Sequence, residues 1–105
     1  MVMACRSIIR FAEGISLDDF LADEKTRYAV MRGYEIRGEA VRHISEPIKS
    51  ANPDVPWKTM VAVRNGTVHG YFGIDDTIPF ATIEDDLKPL LPRLEALARS
   101  HGVEV

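Results

Sequence analysis

Between Asp23 and about Ser50, the residues Val30, Tyr34, Val41, Ile44 and Ile48 recur at helical spacing and draw one apolar stripe. The spacing predicts a long helix over this span. A helix with one apolar stripe must bury it against another layer of structure. The other long segments also read as helical. Residues 2–13 carry Ile8, Ile9, Phe11 and Ala12, and predict a short helix that Gly14 ends. Ser16 to Asp19 has the form of a capping box and opens a short helix through Leu21. Pro47 is expected to kink or loosen the last turns of the long helix. Asn52-Pro53-Asp54-Val55-Pro56 is a turn, with Pro56 placed to begin another helix. Thr77 is expected to cap a last helical region with Pro79 in its first turn, Pro89 and Pro92 to bend or split it, and Gly102 to stop it. Leu87, Leu90, Leu91, Leu94 and Leu97 supply its apolar face. The fold class is therefore all-α, an up-down bundle of four to five helices with short loops. The length of 105 residues suits one domain, 1–105.

Charge and composition narrow the function. The formal net charge is −3, without the basic coat of a general nucleic-acid binder, so any RNA contact must be made in a local cleft. No apolar run approaches the roughly 18 residues that would span a bilayer, so no membrane partner is expected. The single cysteine, Cys5, cannot form an intramolecular disulfide, and the first residues do not read as a secretory signal. The setting these features predict is cytoplasmic.

The chemistry gathers in Arg64-Asn65-Gly66-Thr67-Val68-His69-Gly70-Tyr71-Phe72. At roughly 100° per residue, Arg64 falls in the middle of the apolar stripe of Trp57, Met60, Val61 and Val68, with Tyr71 beside it. Charged groups rarely face a core unless they are paired or functional. An ion pair with Glu39 or Glu35 of the long helix is the structural reading, and Glu39 is expected to support the arginine. In the functional reading, the guanidinium neutralises phosphate and His69, titrating near neutral pH, moves protons. His69 projects roughly 140° from Arg64, and Asn65 lies one turn before it. On spacing alone His69 also fits an ordinary surface histidine, Tyr71 a core aromatic and Asn65 a backbone brace. Arg37 falls on the stripe of Val30 and Val41, either with its head reaching solvent or as a phosphate or interface contact. Glu35, Glu39, His43 and Glu46 form a polar stripe. Glu39 and His43 have a spacing that could hold a metal, but a solvated face is expected, with no metal and no cofactor. His101 sits where it favours a helix dipole.

Pro56-Trp57-Lys58 leading into Arg64-Asn65, followed by Val68-His69-Gly70-Tyr71-Phe72-Gly73, resembles the HepT-like ribonuclease family of the HEPN superfamily. The family signature is Arg, four residues, His, one residue, Tyr. Gly14 to Phe20, Asp23 to Thr26, Glu35 to Val41 and Glu84 to Leu87 are similar as well, and the likeness covers roughly residues 10–97. The resemblance implies a HEPN-like helical bundle that forms a homodimer, whose two motifs line one cleft. It implies a toxin-type, metal-independent endoribonuclease acting on RNA and paired with an MNT-type nucleotidyltransferase antitoxin. Carried over by position, Arg64 and His69 are catalytic, Asn65 supports them, and Tyr71 positions substrate or accepts AMP. Three departures stand out. The first helix is shorter, Arg37 stands where relatives usually carry an aliphatic residue, and Ile78-Pro79-Phe80 replaces a segment that often ends in tryptophan. The competing function is a non-catalytic helical dimer that binds a nucleotidyltransferase partner or a nucleotide.

Overall fold

A computed structural model describes residues 1–68 and 75–102. Four longer helices form the bundle: α1 (Val2–Phe11), α3 (Glu24–Arg42), α5 (Trp57–Val68) and α7 (Lys88–Ser100). Three six-residue helices join them: α2 (Leu17–Ala22), α4 (Glu46–Ala51) and α6 (Thr77–Thr82). A wide π-type turn over Ile83–Leu87 leads into α7. Among the described residues there is no strand, and the all-α bundle expected from the sequence is what forms.

Local chemistry sets the helix ends. Gly14 takes a left-handed φ of 74° behind α1, and Gly102 does the same at 78° behind α7. The Ser16 hydroxyl accepts from the Asp19 amide at 3.1 Å, and the Asp23 carboxylate accepts from the Thr26 amide at 3.2 Å.

Two boundaries differ from expectation. The predicted helix from Asp23 to Ser50 is two helices, broken at His43–Ser45. In a continuous helix the Pro47 ring would clash with the His43 carbonyl and offer it no N–H. The chain instead ends α3 at Arg42 and restarts with extended Ser45, which places Pro47 in the first turn of α4. Thr77 does not cap α6 with its own oxygen. Its amide donates to the Asp75 carboxylate at 3.0 Å, so the aspartate two residues earlier serves that end. The expected split of the last region is the π-type turn, which falls just ahead of Pro89.

α3 lies between α1 and α5 and packs on both. Two glycines permit the close approach. A Cβ at Gly33 would overlap the Ile8 side chain of α1, and one at Gly38 would overlap the Arg64 stem of α5 and meet the Met60 carbonyl at 3.1 Å. Gly38→Ala is therefore expected to destabilise the protein. Alanine gains about 1 kcal/mol of helix propensity, but overpacking costs about 1–3 kcal/mol, and the neighbours are a backbone carbonyl and the base of a side chain. A lowered Tm checks this; an unchanged or raised Tm contradicts it.

The core joins Ile8, Phe20, Val30, Tyr34, Met60, Leu87 and Leu94, all fully buried. Phe20 and Phe80 meet at 5.1 Å between α2 and α6, and the Tyr34 hydroxyl donates to the Pro79 carbonyl at 2.7 Å. Arg37 corrects the sequence reading. It neither reaches solvent nor offers itself to a ligand, being 0% exposed. Its Nη1 and Nη2 donate to Asp86 of the π-type turn at 3.3 and 3.4 Å, and its guanidinium lies 5.4 Å from the Tyr34 ring centroid. Its Nε has no hydrogen-bond partner among the described residues.

The turn before α5 is clamped to α7. Arg93 donates from Nε to Asp54 at 2.7 Å and from Nη2 to the Asn52 side chain at 2.7 Å. The Asn52 carbonyl in turn accepts from Trp57 Nε1 at 3.1 Å. The hydrogen bonds from Arg93 hold the Asp54 carboxyl below its ordinary 3.8. A depressed carboxylate pKa contributes stability that is fully present above the unfolded value and lost as pH falls through the lower folded value. Emission from Trp57, the single tryptophan, is therefore expected to stay constant down to about pH 4 and to change below it. In Arg93→Met the Asp54-linked part of that change moves up towards 3.8. Identical titrations of the two proteins would contradict the clamp.

Candidate active site

The site is built on the seam between α3 and α5. Gly38 lets the Arg64 stem lie flat against α3, so its guanidinium reaches the surface beside Glu39, with 23% of the side chain exposed. Arg64 Nη2 sits 3.5 Å from Glu39 Oε2, and Nη1 donates to Asn65 Oδ1 at 3.2 Å. The other Glu39 oxygen is 3.6 Å from Nε2 of His43. The Thr67 hydroxyl donates to the Arg64 carbonyl at 2.7 Å and so braces the helix turn that carries the arginine.

The structure thus brings together three of the five site residues expected from sequence: Arg64, Asn65 and Glu39. Of the two carboxylates proposed as partners of Arg64, Glu39 makes the pair, while Glu35 pairs with Arg32 on its own helix. His69 and Tyr71 lie outside the described residues. The sequence reading gave Gly38 no role in the site. The signal was there, since glycine inside a helix is costly and its presence points to a close approach.

Charge decides what the arrangement can do. Glu39 is half exposed, and an ion pair in such a setting contributes only about 0–1 kcal/mol. A phosphate can take two parallel hydrogen bonds from one guanidinium, a stronger pairing than this single long contact. The arginine is therefore held in place without being committed to its carboxylate. Among the described residues, no three of His, Cys, Asp and Glu converge closely enough to hold a metal ion. Nor is any described helix long and apolar enough to cross a membrane.

Comparison with known proteins identifies the family of the chain. The family described as Ribonuclease HepT-like matches residues 1–97. The chain is 36% identical over 96 residues to "Probable ribonuclease HepT" of Thermococcus cleftensis, covering 91% of this chain and 87% of that one. It is 36% identical over 92 residues to "Putative RNase MJ1380" of Methanocaldococcus jannaschii, covering 88% and 84%. A Caldanaerobacter subterraneus protein with the same form of name is 32% identical over 101 residues, covering 96% and 90%. No solved structure matches. The chain belongs to the HepT-like ribonuclease family. Membership supports a ribonuclease function with RNA as the substrate.

Proposed function

We propose that this chain is a metal-independent endoribonuclease, active as a homodimer in the cytoplasm, and the toxin of a pair whose antitoxin is an MNT-type nucleotidyltransferase. The observation that carries the reading is Arg64. It is seated on Gly38 and steadied by Glu39 and Asn65, at the head of the Arg64…His69…Tyr71 motif of a HepT-like ribonuclease.

In this reading two copies of the motif line one cleft. The ribose 2′-hydroxyl attacks the adjacent phosphorus and the 5′ oxygen leaves, giving a cyclic phosphate and a free 5′-hydroxyl. His69 takes the attacking proton, and His69 of the partner subunit protonates the leaving oxygen. Arg64 stabilises charge on the phosphorane, where fixed positive charge acts most strongly. Glu39 and Asn65 keep the guanidinium aimed. Tyr71 positions the substrate. Its hydroxyl is also the acceptor through which the nucleotidyltransferase silences the toxin, attacking the α-phosphorus of a nucleoside triphosphate as pyrophosphate leaves.

A second reading is a non-catalytic helical dimer that binds the nucleotidyltransferase or a nucleotide, with Arg64–Glu39 an ordinary ion pair between α3 and α5. Incubation of the purified chain with labelled RNA in excess chelator separates the two. Endonucleolytic products support the nuclease, and intact RNA together with a stable complex with the nucleotidyltransferase supports the binder.

A further inference from the structure

A cavity of about 590 Å³ lies where α3, α4 and α5 meet. Val41, Lys49, Val55, Trp57, Lys58 and Val61 line it. Its place on α5 is informative. Trp57 and Arg64 are seven residues apart, hence within about 20° of each other around the helix and about 10 Å apart along it. Lys58 and Asn65 have the same relation, with Val61 between the two lines. On α3, Val41 is three residues beyond Gly38, the residue under the Arg64 stem, and so lies on the same side of that helix. The cavity therefore opens onto the face of the molecule that presents the arginine.

Its lining is mixed in a telling way. Val41 and Val55 are buried and form an apolar floor. Trp57 supplies a flat wall, held by its bond to the Asn52 carbonyl at 3.1 Å, which Arg93 clamps from α7. Two ammonium groups stand at the rim. Lys49 has only a 3.8 Å contact with Glu46, the one carboxylate among the described residues that also lines the cavity, whose side chain is 85% exposed and turned largely to water. Lys58 is exposed. In a chain of net charge −3, a pair of lysines beside an anchored indole is a local feature suited to an anion that also carries a flat ring.

We propose that this cavity is a subsite for an unpaired ribonucleotide next to the phosphate at Arg64, its base stacked against Trp57 and its backbone held by Lys58 and Lys49. The inference rests on the ribonuclease reading for the identity of the polymer, and on the cavity alone for the site. It implies a preference for single-stranded RNA, since a base can enter only when it is out of a duplex. Phosphate contacts from the lysines would position the strand without reading its sequence.

The single tryptophan makes the test direct. The protein is titrated with a fully 2′-O-methylated single-stranded ten-mer, followed by Trp57 emission and by anisotropy of a label on the RNA. The same strand in a duplex serves as the comparison. Saturable quenching by the single strand is expected, with clearly weaker binding of the duplex. Lys58→Glu, at an exposed position, is expected to weaken binding roughly 10-fold and to raise KM more than it lowers kcat. Trp57→Ala is expected to weaken binding roughly 10- to 100-fold. Binding seen by anisotropy without any change in Trp57 emission would overturn the subsite, as would a Lys58→Glu affinity within twofold of wild type. Quenching by RNA with no cleavage of unmodified RNA would leave the subsite standing and remove the nuclease. Cleavage without quenching would do the reverse.

Discussion

His69→Ala is expected to lower the rate of RNA cleavage by about 10²–10⁴-fold, the usual range for loss of a positioned general acid or base. In the proposed cleft the loss falls on both proton transfers, because each active site draws one imidazole from each subunit. Tm of the variant is expected to stay within a few degrees of the wild type. Initial rates across pH should show a bell for the wild type, reporting one imidazole that must be neutral and one that must be charged. In the variant the bell should vanish. An His69→Ala rate equal to wild type would take this residue out of the mechanism and leave Arg64 to act with some other base.

Asp86→Ala is expected to cost about 3–5 kcal/mol of folding stability, because it leaves the Arg37 guanidinium uncompensated inside the protein. Arg37 is wholly buried, already has one Nε–H without a partner among the described residues, and donates from Nη1 and Nη2 to one oxygen of this carboxylate. The cation–π contact with Tyr34, at 5.4 Å from the ring centroid, is too weak to replace it, at roughly 0.5–2 kcal/mol. Urea unfolding of Asp86→Ala, Arg37→Leu and the double variant measures the coupling. The double variant should recover most of what Asp86→Ala loses, since replacing a buried pair with apolar side chains is often neutral or favourable. The stabilities of Asp86→Ala and wild type agreeing within 1 kcal/mol would show that water or another group solvates the guanidinium. A nuclease that survives in the double variant would also separate stability from catalysis.

How much of this was legible in the sequence follows from how local each feature is. Ser16, Asp23, Gly14 and Gly102 act on their own helix ends, and all four did what their side chains or lack of them dictate. The break after Arg42 falls where only a kink or loosening at Pro47 was expected, although its cause is visible in the sequence. Pro47 excludes a helical bond to residue 43, so the helix had to end before the proline rather than bend at it. Arg37 was not readable from its stripe. Its partner Asp86 lies 49 positions away in the chain, and no helical periodicity reports such a pairing. Glu39 was readable as a candidate partner of Arg64 because a charge on an apolar stripe calls for a carboxylate on the neighbouring helix. The depth of that contact was not, because it depends on Gly38 being the residue under the arginine. The roles of His69 and Tyr71 came from the motif they share with HepT-like ribonucleases, since spacing alone left each with an ordinary structural reading.

In the proposed reaction the nucleophile is the substrate's own 2′-hydroxyl. Two labelled strands of one sequence, one natural and one 2′-O-methylated throughout, should be incubated with the purified chain in excess chelator and their products resolved by mass. Only the natural strand is expected to be cut, at internal positions, leaving cyclic phosphate and 5′-hydroxyl ends that fail to form with Arg64→Ala. Cleavage of both strands, or of neither, would contradict it.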